Sequence, residues 1–294
     1  MKKKNGPLFR GAATALVTPF RDGEIDFEAF GTLIDRQIES GIDALVILGT
    51  TGEASTLSES EYRKALSFAI ERAHGRLPMI AGTGSNDTSH AIERSRFASS
   101  LGYDALLVVT PYYNKATDRG LIRSFSAIAD ATPTPIILYN VPSRTGCSIS
   151  LPVYQALAEH PNIVAVKEAS GNISAVASLI AATSDSLDVY SGNDTETLPI
   201  LSLGGAGVIS VVSNIIPAEM KRLCQLWFDG DILACRTLHE RYLALMQAMF
   251  YEVNPIPVKT ALSILGLCRE EFRLPLCEMS EVNRARLGAV LETV

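Results

Sequence analysis

The feature that most constrains the fold is a series of short apolar runs, rich in β-branched residues and bounded by Gly, Pro, Asn or Asp. Eight such runs lie in residues 13–18, 44–49, 78–83, 105–111, 135–140, 163–170, 187–193 and 207–214. Helical periodicity separates most of them, and continuous apolar strands that alternate with helices predict a parallel sheet covered on both faces. Strand starts about 20 to 35 residues apart, eight times over, predict an α/β fold, a closed (β/α)₈ TIM barrel, rather than an open doubly wound sheet.

Helices are predicted by apolar residues spaced at helical period and by capping residues at their starts. They include residues 27–40, 58–74, 89–101 and 151–160, with starts marked by Asp26, Ser58 and Ser150. After about residue 230 the strand pattern stops, and helices are predicted over 232–250, 257–265 and 280–293. The sequence therefore predicts a catalytic barrel over residues 1–230 and a C-terminal helical extension over 231–294. The apolar residues of the extension either cap the barrel or form a subunit contact.

Composition and motif content exclude several classes of protein. The net charge of -6 argues against a nucleic-acid partner, since phosphate backbones are bound by clustered Lys and Arg. No apolar run approaches the roughly 20 residues that cross a bilayer, so we expect a protein that does not bind membranes and lies in the cytoplasm. The five cysteines form no C-x-x-C pair, which favours reduced thiols and no structural zinc. The alternative to five unreactive thiols is that one of them, Cys147, acts as a nucleophile.

Lys167 is the first candidate for catalysis, because barrel enzymes place reactive groups at the carboxyl ends of strands. It follows the apolar residues 163–166, in a strand where burial disfavours an ammonium. An amine nucleophile must be neutral, whereas a lysine in water is neutral at pH 7 in only about one molecule in a few thousand. Burial therefore favours a nucleophilic role. The alternative interpretation is an ion pair between Lys167 and Glu168.

Tyr139 ends the neighbouring predicted strand, and we expect its hydroxyl to face the same cavity as Lys167. A phenol can donate a proton to a carbinolamine and accept one as the imine forms. The alternative role for this tyrosine is packing alone.

Other strand ends carry groups suited to anionic substrates. The hydroxyls of Thr50 and Thr51 can bind a carboxylate, although a helix N-cap, or a turn in which Gly52 takes a positive φ, is the alternative. Gly192 serves either close packing or close approach of a substrate. Arg144, in the loop after the fifth predicted strand, offers a planar fork to a second carboxylate, or is simply solvated.

Four segments, in chain order, resemble motifs of the dihydrodipicolinate synthase and N-acetylneuraminate lyase family. They are GTTGE at 49–53, YNVPxRTG at 139–146, the Schiff-base lysine segment VKEAS at 166–170, and NPIPVK at 254–259. The resemblance covers essentially the whole chain. Within the family, Arg144 and the Glu168-Ala169 pair favour the synthases over the lyases.

The resemblance implies two groups of site residues. The catalytic group, which forms the Schiff base and relays protons, is Lys167, Tyr139, Thr50 and Tyr113. The substrate-binding group is Thr51, Arg144, Gly192 and Ile209. The resemblance also implies that Tyr113 reaches into a neighbouring subunit, so that the partners of the chain include its own copies, at least in a dimer and usually in a homotetramer built as a dimer of dimers.

The reaction implied is a Schiff-base condensation of pyruvate with L-aspartate 4-semialdehyde, in the diaminopimelate route to lysine. It requires no metal or organic cofactor. One alternative is another class I pyruvate aldolase or dehydratase of the same family, acting on 2-keto-3-deoxy sugar acids. A second is a catalytically silent barrel that binds a small acid as a sensor.

Regulation by L-lysine is expected to be weak or absent. In lysine-sensitive members of the family a histidine typically stands at the position of Tyr62, and a glutamate at the position of His90. A buried ammonium needs a nearby carboxylate to offset its desolvation, and His90 supplies none. Glu59, in the same segment as Tyr62, is the alternative source of a carboxylate.

Overall fold

The structure is a computed structural model that describes residues 6–294. Its strands are β1 (Gly11–Ala15), β2 (Phe20–Arg21), β3 (Glu24–Ile25), β4 (Ala44–Ile47), β5 (Met79–Gly82), β6 (Ala105–Val109), β7 (Ile136–Asn140), β8 (Ile163–Glu168), β9 (Asp188–Ser191) and β10 (Gly207–Ser210). Strands β2 and β3 pair with each other, antiparallel. The other eight form one closed barrel in which neighbours in sequence are neighbours in space. The predicted fold class is confirmed.

Each of the eight predicted strands overlaps a strand of the barrel, but several were predicted to run too far toward the carboxyl end. The strand predicted over 163–170 ends at Glu168, and the strand predicted over 207–214 ends at Ser210. The second of these continues as a 3₁₀ turn, Val212–Asn214. The apolar residues continue beyond the last hydrogen-bonded residue of the strand, because the turns at the end of the barrel are themselves buried. Composition alone therefore misplaces the end of the strand.

The helices are α1 (Phe27–Glu39), α2 (Glu59–Ala73), α3 (Thr88–Ser100), α4 (Asp118–Asp130), α5 (Pro142–Thr145), α6 (Leu151–Ala158), α7 (Ile173–Thr183), α8 (Thr197–Ser202), α9 (Pro217–Phe228), α10 (Ile232–Ala248), α11 (Ile256–Ile264) and α12 (Glu281–Leu291). Asp26 and Ser58 cap α1 and α2 through their side chains, as their positions predicted. Ser150 precedes α6, but its hydroxyl donates to Asp118 at 2.7 Å instead of capping the helix. Within residues 6–294, no helix is long and apolar enough to cross a membrane.

One compact unit consists of Pro78–Ile209 and, at the N-terminal side, the described residues 6–10. Strands β6, β7 and β8 form its centre and are almost completely buried, as continuous apolar strands of a parallel sheet are expected to be. At one side, Tyr190 stacks on Phe9 with ring centroids 4.3 Å apart and donates a hydrogen bond to the Phe9 carbonyl at 2.7 Å. The N-terminal segment is thereby fixed to β9.

The second unit consists of Gly11–Leu77 and Ser210–Val294. The Asn214 amide ties β1 to the turn after β10: its Nδ2 donates to the Ala15 carbonyl at 2.8 Å, and its Oδ1 accepts from the Val17 amide at 3.2 Å. Helices α10, α11 and α12 follow in the regions predicted to be helical. The division at residue 230 into barrel and extension stays a prediction, and residues 1–5 of the predicted barrel lie outside the described residues.

Candidate active site

Lys167 and Tyr139 lie side by side on neighbouring strands. They are register partners in the β7–β8 pair, and both side chains are buried. The Lys167 Nζ lies 4.5 Å from the centroid of the Tyr139 ring. The structure therefore brings together the two residues that the sequence singled out, an amine and a phenol in one buried space.

Gly192, the residue after β9, packs against the Lys167 side chain. A Cβ at this position would stand 2.7 Å from the Cβ of Ala169 and 3.2 Å from the Cε of Lys167. The Gly192 amide donates to the Glu168 carbonyl at 2.7 Å, which holds the glycine close to β8. Of the two roles proposed for this glycine, close packing is therefore observed, and the atoms that it packs against belong to residues 167–169.

Glu168 does not pair with Lys167 within the described residues, so the ion pair considered as an alternative is not formed. Its carboxylate instead accepts hydrogen bonds from Asn140 Nδ2 at 3.0 and 3.1 Å, the Tyr154 hydroxyl at 2.8 Å and the Ser170 amide at 2.8 Å. Burial and then the charge of Glu168 raise the pKa of Tyr154. Successive side chains of a strand point to opposite faces, so Lys167 faces Tyr139 while Glu168 faces α6.

The loop after β6 places Tyr113 in solvent. Its side chain is 91% exposed, and its backbone takes φ of +68°, a conformation that non-glycine residues rarely adopt. In the single chain, then, the Tyr113 hydroxyl is outside the buried space that holds Lys167. A nearly fully exposed tyrosine on a strained loop fits the expectation that it acts across a subunit contact, which stays a prediction.

Arg144 and Ile209, the other predicted substrate-binding residues of this unit, lie in different surroundings. Arg144 is exposed on the short helix α5, whose last residue, Thr145, is buried and accepts a hydrogen bond from Thr110 at 3.1 Å. This bond anchors α5 to the end of β6. Ile209 is fully buried in β10, next to Val208, the register partner of Ser191.

Thr50 and Thr51 belong to the second unit, in a 3₁₀ turn, Thr50–Gly52, that follows β4. Thr50 is half-buried. Thr51 is buried and its Oγ1 accepts a hydrogen bond from Asn254 Nδ2 at 3.0 Å. An oxygen that accepts from an amide keeps its own proton to donate, so Thr51 remains able to bind an acceptor.

The interpretation of Gly52 as a residue with positive φ is wrong. The left-handed residue of this turn is Glu53, with φ of +52°. Gly52 instead lies close to other atoms: a Cβ there would stand 3.3 Å from the Leu16 carbonyl oxygen and 3.3 Å from the Thr18 Oγ1. Neither threonine caps a helix through its side chain, since the 3₁₀ turn has Gly49 at its N-cap.

Sequence reasoning missed a buried ion pair behind this turn. The Lys259 Nζ lies 2.6 Å from Glu53 Oε1, and both side chains are essentially inaccessible. Lys259 also donates to the Glu271 carbonyl at 2.6 Å, and lies 4.3 Å from the centroid of the Phe20 ring. Burial lowers the pKa of Lys259, and Glu53 opposes that shift. A lysine inside an apolar helix, in the segment 254–259, was the available signal.

Residues 8–294 match the model of the dihydrodipicolinate synthetase family. The chain belongs to this family. Among curated relatives, the 4-hydroxy-tetrahydrodipicolinate synthase of Pelobacter propionicus is 49% identical over 286 residues, which cover 97% of this chain and 99% of the relative. The family resemblance inferred from the motifs is confirmed.

Two solved structures of the dihydrodipicolinate synthetase family illustrate the likeness of fold. One is the chloride-inhibited dihydrodipicolinate synthase of Acinetobacter baumannii in complex with pyruvate, 43% identical with a TM-score of 0.95, with 97% of this chain and 98% of that chain covered. The other is described as the first monomeric dihydrodipicolinate synthase variant, 42% identical with a TM-score of 0.95, with 97% of each chain covered.

Proposed function

We propose that this protein is a lyase of the class I aldolase type, a 4-hydroxy-tetrahydrodipicolinate synthase that condenses pyruvate with L-aspartate 4-semialdehyde through a Schiff base on Lys167. The observation that carries the proposal is the placement of the Lys167 amine, buried at the end of β8 and 4.5 Å from the Tyr139 ring. An amine at this place in a barrel, beside a phenol that can transfer protons, is positioned to act as a nucleophile. The family relatives are synthases of this name, and one is described in complex with pyruvate.

The first half of the reaction activates pyruvate. The Lys167 nitrogen adds to the ketone carbon, and Tyr139 gives a proton to the hydroxyl that leaves as water. The product is a cationic imine. Loss of a proton from the methyl group then yields a neutral enamine, whose terminal carbon is a nucleophile. Positioned proton transfer of this kind typically contributes about 10²- to 10⁴-fold to the rate.

The second half joins the two substrates. The enamine carbon forms a bond with the aldehyde carbon of the semialdehyde, the aldehyde oxygen takes up the proton that the methyl group lost and becomes a hydroxyl, and the imine is restored. The amine of the second substrate then attacks the imine carbon, the bond to Lys167 breaks, and the ring closes. Arg144 holds the carboxylate of the semialdehyde with its planar guanidinium, which can donate two parallel hydrogen bonds.

The remaining residues bind pyruvate or relay protons. On the family resemblance, we assign pyruvate binding to Thr51, Ile209 and Gly192, and proton relay with Tyr139 to Thr50 and Tyr113. The exposure of Tyr113 supports its action in a neighbouring subunit of a homotetramer. A cytoplasmic location is supported by the cysteines, all five of which are free thiols.

Borohydride reduction in the presence of pyruvate tests the proposal, since it converts the imine into a stable amine. Intact-mass analysis should show one reduced pyruvate per chain, and peptide mapping should place it on Lys167. The variant Lys167→Ala should gain nothing, although it keeps Lys259 as a second buried lysine. A missing adduct, or one that survives in Lys167→Ala, contradicts the Schiff-base assignment.

Product formation distinguishes the proposed reaction from that of a 2-keto-3-deoxy sugar acid aldolase. The proposal expects turnover of pyruvate with aspartate 4-semialdehyde and little or none with glyceraldehyde. The reverse preference would assign the chain to the sugar-acid branch.

A further inference from the structure

The residues after Tyr139 and Lys167 form a second buried pair. Asn140 and Glu168 are register partners, one position along the strands from the pair that carries the proposed chemistry. Asn140 Nδ2 donates to both carboxylate oxygens of Glu168, while Asn140 Oδ1 accepts from the Ile149 amide at 3.1 Å. The hydrogen bonds between the Asn140 and Glu168 side chains therefore help to hold the register of β7 and β8 next to the Tyr139–Lys167 pair.

In residues 6–294, every hydrogen-bond partner of the Glu168 carboxylate is a donor. Its partners are the Asn140 amide, the Tyr154 hydroxyl and the Ser170 backbone amide, all of them neutral. The group is 4% exposed, and within the described residues its contacts include no cation. A buried charge without a counter-ion is costly and needs a reason.

In the proposed reaction a positive charge forms on the imine at Lys167, the residue before Glu168. In a weakly polarisable interior, charges on adjacent residues of a strand still interact appreciably. Resting on the proposed function, we propose that Glu168 is a positioning residue: its carboxylate, bound by Asn140 and Tyr154, sets Lys167 against Tyr139, and its charge stabilises the cationic imine on Lys167.

Few other ionisable groups of the described part of the chain lie on the strands and helix that flank Lys167 and Glu168. On the β7 side Lys167 faces Tyr139, and on the β9 side its register partner is Tyr190, whose hydroxyl is engaged with the Phe9 carbonyl. Asp188 lies two residues before Tyr190 on β9, opposite Ala165. From α6, Tyr154 faces Glu168.

The variants Glu168→Gln and Tyr154→Phe separate charge from hydrogen bonding. Glu168→Gln removes the charge, whereas Tyr154→Phe removes one donor and keeps the charge. The measurement is the rate of borohydride trapping with pyruvate as a function of pH. For Glu168→Gln we expect trapping at the high-pH plateau to fall about three- to tenfold, and the acid-side midpoint to move down by roughly half to one pH unit. Tyr154→Phe should leave the midpoint unchanged.

Two further variants cover the case in which Glu168→Gln does not fold. Glu168→Asp and Asn140→Ala keep the carboxylate but loosen the bond between the strands. They should lower kcat about tenfold or more at an unchanged acid-side midpoint. A wild-type midpoint and plateau in folded Glu168→Gln, or unchanged kcat in both Glu168→Asp and Asn140→Ala, overturns the inference. A wild-type protein that traps no pyruvate overturns the proposed function instead.

Discussion

A Cβ added to Gly192 would stand 3.2 Å from the Cε of Lys167 and 2.7 Å from the Cβ of Ala169. The glycine thus determines how closely β9 approaches the amine that is proposed to react. Both contacts are tighter than side-chain carbons normally make, so a methyl group must displace Lys167, Ala169 or the backbone of β9.

Gly192→Ala is therefore expected to slow borohydride trapping at Lys167 by tenfold or more and to destabilise the fold by about 1 to 3 kcal/mol. The control is Gly288→Ala in α12, where no heavy atom lies within 4 Å of the added Cβ. That change should leave trapping untouched and, in a helix, stabilise slightly. Equal trapping rates in Gly192→Ala and the wild type would show that the contact does not position the amine.

Removal of the Arg144 guanidinium should impair use of the semialdehyde and spare pyruvate. Loss of a charge-assisted pair with a carboxylate costs on the order of 2 to 4 kcal/mol, so Arg144→Ala should reduce kcat/KM for the semialdehyde by about 30- to 1000-fold. Arg144→Lys, which keeps the positive charge but not the planar guanidinium, should recover only part of the lost kcat/KM. The role assigned to Arg144 is wrong if Arg144→Ala abolishes pyruvate trapping.

Removal of one partner of the Glu53–Lys259 ion pair should destabilise the fold strongly, whereas removal of both together should cost less than the two single changes added. Either Glu53→Gln or Lys259→Met leaves a buried group without its partner and should lower the free energy of unfolding by about 3 to 5 kcal/mol. The double variant Glu53→Gln with Lys259→Met should cost less than the sum of the single variants. Urea unfolding of the four proteins measures this coupling, and simple additivity would show that the two groups do not interact.

Glu61 should make stability depend on acid pH. The hydrogen bond from Arg273 lowers the pKa of Glu61 from 4.5 to about 2, and bonds from Ser58 add to the effect. A depressed pKa contributes stability above pH 4.5, and that stability is lost as pH falls toward 2. Glu61→Gln should thus cost on the order of 1 to 2 kcal/mol at pH 7 and progressively less between pH 4.5 and 2.

Urea unfolding at several pH values measures the dependence on Glu61, with Glu71→Gln as the control. Glu71 is exposed on the same helix, α2, and its variant should track the wild type at every pH. A cost of Glu61→Gln that stays constant from pH 7 to pH 3 would rule out the assigned role of the Arg273 contact.

Inhibition by L-lysine should be weak or absent. Tyr62 is completely buried in α2, so its side chain belongs to the core and not to the helix surface. His90 offers no carboxylate to an incoming ammonium. Steady-state assays at saturating pyruvate with increasing L-lysine test the expectation. Strong inhibition at sub-millimolar lysine that is lost in Glu59→Gln would show that Glu59 provides the missing charge.

Much of this protein could be predicted from local patterns. Eight apolar runs separated by helical segments specify the barrel, because strand and helix periodicity are properties of neighbouring residues. The order of the strands then places their carboxyl ends at one rim, and so brings Tyr139 at the end of β7 next to Lys167 near the end of β8. The motif segments specify the family.

The tertiary structure alone decided the partners of the buried charges. Glu168 meets Tyr154 from α6, and Glu53 meets Lys259 from a helix 206 positions away. It also decided that Gly52 lies close to the Leu16 carbonyl and does not take a positive φ. Periodicity tells which face of an element is buried, but not which group from a distant element will stand opposite. A buried charge is stabilised by whichever donors the folded chain brings to it, and that is determined only when all the elements pack together.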